Sequence, residues 1–179
     1  MKLAIIDKDG TLTETVSGAT FVQSPTDQKL IAGVQQAIAK LVAEGYTLAI
    51  ASNQGGVAAG HKTLEDAIAE MRYAMELTGI QVAYFCPDFK GHQCYKVTPS
   101  FCEGFNDEPI ESESADRYTI LLPTTSFGSY RKPDSGMLKR AIHDHDSLKA
   151  IMIGDRPEDE QAAHNAKIDF IHAKDWWIN

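Results

Sequence analysis

Two carboxylates, Asp7 and Asp9, close the apolar run Leu3–Ile6 near the start of the chain, and Gly10 follows at once. Two like charges at a strand end either hold a cation through oxygen or do chemistry together. Groups this close have their protonation equilibria pushed apart, which suits a pair that divides acid–base and nucleophilic work. Further reactive residues recur downstream: Ser52 and Asn53, then Arg131 and Lys132, then Asp155 and Asp159. An EF-hand calcium loop needs its glycine at the sixth position and a helix before it. Here Gly10 is the fourth residue counted from Asp7, and a strand comes first. A plain Asp–Gly turn accounts for the opening stretch alone. It does not account for an order of acid pair, hydroxyl, lysine and acid pair.

The elements that position these groups follow from apolar spacing. Leu3–Ile6 reads as a strand covered on both faces. Val34, Ile38, Leu41 and Val42 share one face of a helix that Gly45 can end. Tyr46–Ala51 is a second buried strand, and Thr63 with Asp66 starts a helix whose stripe of Ile68, Met71 and Met75 stops at Gly79. Gln81–Phe85 is a third strand. Regularity is then lost from Pro87 to near Arg117, so segment 87–127 reads as an insertion that shapes access to the site. Tyr118–Leu122 reads as a strand, Met137, Leu138, Ala141 and Ile142 as a helix face, and Ala150–Ile153 as a strand. A helix from near Glu158 and a strand near Ile168–Ile171 complete the series. This alternation predicts an α/β fold: one domain over 1–179 with a doubly wound, mostly parallel sheet. Ligands of such sheets sit at the carboxyl ends of the strands. The candidate residues fall there, converging on one crevice.

The 179 residues carry a formal net charge of -8, which works against non-specific binding to nucleic acid. No stretch is apolar enough to span a bilayer, and no signal-peptide pattern opens the chain, so a cytoplasmic location with no membrane partner is expected. Oligomeric state is not legible. Three cysteines, an odd number, argue against a disulfide framework and leave metal binding open.

Four stretches, "DKDGTLT", "ASNQGG", "YRKPDSGML" and "IGDRPEDEQAA", resemble the four motifs of the haloacid-dehalogenase (HAD) superfamily of phosphotransferases, in the family's order and over nearly the whole chain. The resemblance implies a Rossmann-like fold and a magnesium-dependent phosphatase. Asp7 would be the nucleophile that forms an aspartyl-phosphate, and Asp9 the acid and then the base. Ser52 would bond the transferring phosphoryl group, and Lys132 would neutralise charge on both nucleophile and phosphate. Asp155, the Asp7 carboxylate and the Asp9 carbonyl would hold Mg2+, with Asp159 orienting that site from behind. Asn53 and Arg131 are substrate-contact candidates, with loop structure as the alternative for each. An aspartate at the Asp9 position implies a hydrolase.

Cys86, His92, Cys94 and Cys102 offer three sulfurs and one nitrogen, a set zinc favours. The spacing C-x5-H-x-C-x7-C matches no usual finger, and three unrelated thiols is the competing reading. Related sugar-bisphosphate phosphatases carry a C-x-H and a C-x-C that this chain lacks, so any zinc here would be structural. Two subgroups resemble the chain. Heptose-bisphosphate and histidinol-phosphate phosphatases share "SNQGG" and "RKP". Polynucleotide 3'-phosphatases share a segment like "TVSGATFVQSPTDQ", with Gln28 standing where tryptophan is expected. The expectation leans to a nucleic-acid 3'-phosphate, with a small sugar phosphate nearly equal. A non-catalytic phosphate- or partner-binding module on the same fold is the reading from another class.

Overall fold

The computed structural model describes residues 1–106 and 127–177. Its centre is a seven-stranded sheet in the order β7-β6-β5-β4-β1-β8-β9. The strands are β1 (Lys2–Ile6), β4 (Tyr46–Asn53), β5 (Ala83–Cys86), β6 (Gln93–Val97), β7 (Cys102–Asn106), β8 (Lys149–Gly154) and β9 (Asp169–His172). A two-stranded ribbon, β2 (Thr13–Glu14) with β3 (Lys29–Leu30), stands beside it. The helices are α1 (Val34–Ala43), α2 (Leu64–Thr78), α3 (Gly136–Asp144), α4 (Pro157–Ala166) and the short α5 (Ala173–Trp176).

β1 is apolar without interruption because both of its faces are covered. Ala4 and Ile6 pack into a layer with α1 and α2 residues such as Leu41 and Met71. Leu3 and Ile5 pack into the opposite layer with Met137, Leu138 and Ala163 of α3 and α4. The strand therefore lacks a polar face, as a central parallel strand must. β1 pairs in parallel with β4 and β8, and Ile6 lies opposite both Ile50 and Ile153. That register sets the carboxyl ends of three strands side by side. The ladder runs one residue further, with the Asp7 amide donating to the Ile153 carbonyl at 2.8 Å.

The boundaries of α2 follow its caps. Thr63 and Asp66 exchange side-chain and backbone bonds at the start of α2, and Gly79 ends it in the left-handed region at φ 76°. Among the described residues, the expected helices and parallel strands are present to within a few residues.

The irregular reading after Pro87 is corrected in part: β6 and β7 form an antiparallel hairpin that extends the sheet beyond β5. The hairpin escapes the sequence pattern because its outer strand exposes most of its residues and so shows no apolar alternation. The expected strand Tyr118–Leu122 lies outside the described residues. No described helix is long and apolar enough to cross a membrane.

Candidate active site

Lys132 is the centre of the site. It is buried, and its ammonium donates to Asp7 Oδ1 at 2.6 Å and to the Ala51 carbonyl at 2.9 Å, and pairs with Asp159 Oδ1 at 2.6 Å. All three of its protons are thereby used. Asn53, at the end of β4, fixes the lysine from behind. Its Oδ1 accepts the Lys132 amide at 3.0 Å, and its Nδ2 donates to the Lys132 carbonyl at 2.8 Å. Of the two readings open for Asn53, substrate contact and loop structure, these bonds give it a structural contact with Lys132.

Asp7, Asp155 and Asp159 form one group, with an oxygen of each within 4.8 Å of the others. Asp155 accepts from Thr11 Oγ1 at 3.1 Å, and Asp159 accepts the Arg156 amide at 3.2 Å, in the first turn of α4. Gly10 makes room for this: its φ is 87°, and a Cβ there would stand 2.5 Å from Asp155 Oδ2. Asp159 is closer to the centre than expected, because it touches Lys132 directly.

Burial pushes the Asp7 carboxyl up to about 7, against the pull of Lys132 and with the push of Asp159. Burial works against the Lys132 charge, but Asp7 and Asp159 outweigh it and hold the lysine above its ordinary value. Three carboxylates around one ammonium leave surplus negative charge, and the donors are all oxygen. A hard divalent cation fits such a set.

Asp9 has partners of its own. Its Oδ1 pairs with Lys8, and its Oδ2 accepts Gln54 Nε2 at 3.1 Å. The same Gln54 amide reaches Ser52 Oγ at 2.9 Å, which joins the buried hydroxyl to the acid. Arg131 lies at the rim, 5.3 Å over the Phe89 ring and against Gly55.

The model of the family described as polynucleotide kinase 3 phosphatase matches residues 2–173. The chain belongs to this family of HAD-type phosphatases. The phosphatase is 30% identical over 179 residues to a D-glycero-beta-D-manno-heptose-1,7-bisphosphate 7-phosphatase of Haemophilus influenzae, covering 93% of this chain and 78% of that one. It is 27% identical over 169 residues to a D-glycero-D-manno-heptose-1,7-bisphosphate 7-phosphatase of Thermosynechococcus vestitus, covering 90% and 72%. A solved D,D-heptose bisphosphate phosphatase of B. bronchiseptica, complexed with magnesium and phosphate, superposes with TM-score 0.61 at 24% identity, over 96% of this chain and 79% of that one. A Mesorhizobium loti protein described as HAD-like superposes with TM-score 0.66 at 19% identity, over 94% and 69%. At these identities the two structures establish the fold. With the chain a phosphatase, the non-catalytic module is set aside.

The zinc reading of the phosphatase is corrected. Cys86 and Cys94 pack into the α3–α4 layer, whereas Cys102 packs into the other. Cys102 pairs with Val97, three residues along β6 from Cys94, and successive strand residues alternate faces. The sheet therefore stands between the sulfurs. The turn around His92 is closed by Asp88 instead, whose carboxylate accepts the amides of Lys90, Gly91, His92 and Gln93. Cys86 donates to the Asp88 carbonyl at 3.3 Å, and burial pushes its thiol up to about 12. Among the described residues, the carboxylate cluster is the one group in which three or more His, Cys, Asp or Glu ligand atoms converge.

Sequence reasoning missed Lys8, Gln54, Lys62 and Glu70. One signal was available: Glu70 lies three residues from Ala67 and four from Ala74, on the buried face of α2.

Proposed function

We propose that the phosphatase hydrolyses phosphomonoesters of small sugar phosphates or bisphosphates through a phosphoryl group carried on Asp7. The single observation behind this reading is Lys132 bridging Asp7 and Asp159 inside the carboxylate group. Asp7 attacks phosphorus, and the ester P–O bond breaks with its electron pair left on the ester oxygen. Asp9 supplies the proton to that oxygen and later takes one from the water that frees Asp7. Ser52 bonds the phosphoryl oxygens, and Lys132 offsets their charge. Asp7, Asp155 and the Asp9 carbonyl would hold magnesium, with Asp159 beside them. When bound, the ion neutralises the dianionic phosphate. The neighbour from B. bronchiseptica was solved with magnesium and phosphate, which supports that ion.

The substrate class rests on the two relatives, both named as heptose-bisphosphate 7-phosphatases. The net charge of -8 also favours a small anion over a nucleic-acid end, because a polyanion meets the field of the whole surface. Arg131 offers a guanidinium one residue from Lys132, suited to a second anionic group of the substrate.

The test is a phosphatase screen with magnesium over sugar phosphates, sugar bisphosphates and 3'-phosphorylated oligonucleotides. The sugar compounds are expected to give the highest kcat/KM. A clear preference for oligonucleotide ends would overturn the substrate class. Asp7→Asn is expected to abolish turnover of an aryl phosphate while the protein stays folded, and chelation of magnesium should abolish it reversibly. Retained turnover in Asp7→Asn removes the nucleophile assignment.

A further inference from the structure

Asp9 belongs to a closed circuit of side chains. Its Oδ1 pairs with the Lys8 ammonium, and Lys8 meets Glu70 Oε1 at 2.7 Å. Glu70 Oε2 pairs with Lys62, and Lys62 donates to Gln54 Oε1 at 2.8 Å. Gln54 Nε2 returns to Asp9 Oδ2 at 3.1 Å. With Asp9 ionised, two cations and two carboxylates cancel, so the circuit needs no ion from outside. Gln28 braces it, accepting from Lys8 at 3.1 Å and donating to the Glu70 carbonyl at 3.1 Å. Lys8 and Glu70 have side chains 0% and 3% exposed, whereas Asp9 keeps 38% of its side chain open.

Burying an ion pair costs desolvation that apolar packing would not. A lysine directly after the nucleophile, sealed in and spent on Asp9 and α2, is therefore a weak device for stability alone. What it supplies is geometry. It fixes one Asp9 oxygen to a helix that is itself part of the core, while Gln54 fixes the other.

We propose that Lys8, held by Glu70, is a positioning residue that sets the Asp9 carboxyl where it hands a proton to the leaving oxygen. The inference rests on the role given to Asp9 above. In that step an Asp7 oxygen bonds to phosphorus, the ester P–O bond breaks with its electron pair on the ester oxygen, and that oxygen takes the proton that Asp9, protonated for this step, carries on its open edge. Asp9 is left as the carboxylate and regains a proton from the water that frees Asp7. A carboxylate has about four acceptor positions. Lys8 and Gln54 occupy one on each oxygen, which leaves the open edge of Asp9 for the travelling proton.

Leaving-group dependence reads this role directly, because kcat/KM covers only the steps through P–O cleavage. Lys8→Met, Glu70→Gln and Asp9→Asn are each measured with magnesium on p-nitrophenyl phosphate, phenyl phosphate and glycerol phosphate. Asp9→Asn and Lys8→Met are expected to lose about 100-fold or more on glycerol phosphate and less than about tenfold on p-nitrophenyl phosphate, whose leaving group needs no proton. Glu70→Gln keeps the shape of the site and is expected to show the same slope, more weakly. It also carries the test if Lys8→Met does not fold. An equal loss on all three substrates in the Lys8 and Glu70 variants, beside a steep series in Asp9→Asn, overturns the positioning role and leaves Asp9 its own. A flat series in Asp9→Asn overturns both.

Discussion

Asn53 and Gly10 never face phosphorus in the proposed chemistry, yet the geometry depends on them. Removing the Asn53 amide frees both ends of the Lys132 peptide. Asn53→Ala is expected to lower kcat by about 10- to 100-fold with a smaller change in KM, because a displaced charge costs rate more than binding. Steady-state kinetics on an aryl phosphate checks this. Gly10→Ala drives a Cβ into Asp155 and strains a left-handed backbone. Its magnesium activation constant is expected to rise about 10- to 100-fold, read from a metal titration of activity. Asp7, Asp155 and Lys132 were legible because acids at strand ends, followed by one lysine, have few bland explanations in company. Lys8 was not. A lysine between two aspartates reads as solvated until α2 is seen to deliver Glu70 to it. Gln28 was legible only as an oddity in a loop, and its buried bonds to Lys8 and the Glu70 carbonyl give the oddity a purpose.

Besides its pairing with β5, the β6–β7 hairpin is tied to α3 through one acid whose side chain is largely covered. Asp144, at the end of α3, accepts from Tyr84 of β5 at 2.9 Å, Lys96 of β6 at 2.8 Å and Arg140 at 2.8 Å. Burial would raise its carboxyl, but the bonds from Lys96 and Tyr84 and the charge of Arg140 hold it below the ordinary carboxylate value. A group lowered in the folded state stabilises above its unfolded value, about 3.9, and loses that contribution as pH falls through the folded value. Asp144→Asn is therefore expected to lower Tm at pH 7, with the gap to the parent protein closing below about pH 4. Thermal melts across that range decide it. The central strands were readable because they are apolar throughout, and α2 because its caps are explicit. The hairpin was not, because edge strands are specified by backbone pairing and by partners such as Asp144, which lies far away in sequence.

Across the whole molecule, two apolar layers clamp the sheet and fix β1 between β4 and β8. Leu138, fully buried under the sheet, has no polar role. Leu138→Ala is expected to cost about 2–5 kcal/mol in denaturant unfolding while the rate constants of the surviving folded enzyme stay close to the parent's. Such a split would separate the scaffold from the chemistry it carries. The parallel pairing of β1 with β8 has one more consequence. β1 cannot find one of its two neighbours until residues 149–154 exist, and Asp159 follows later still. During synthesis Asp7 therefore emerges well before Lys132 and Asp159, the charged groups gathered around it in the fold. A nascent chain interrupted before that point would display the acid without the strand and the carboxylate that complete its surroundings, so the proposed hydrolysis requires the strand order to be closed.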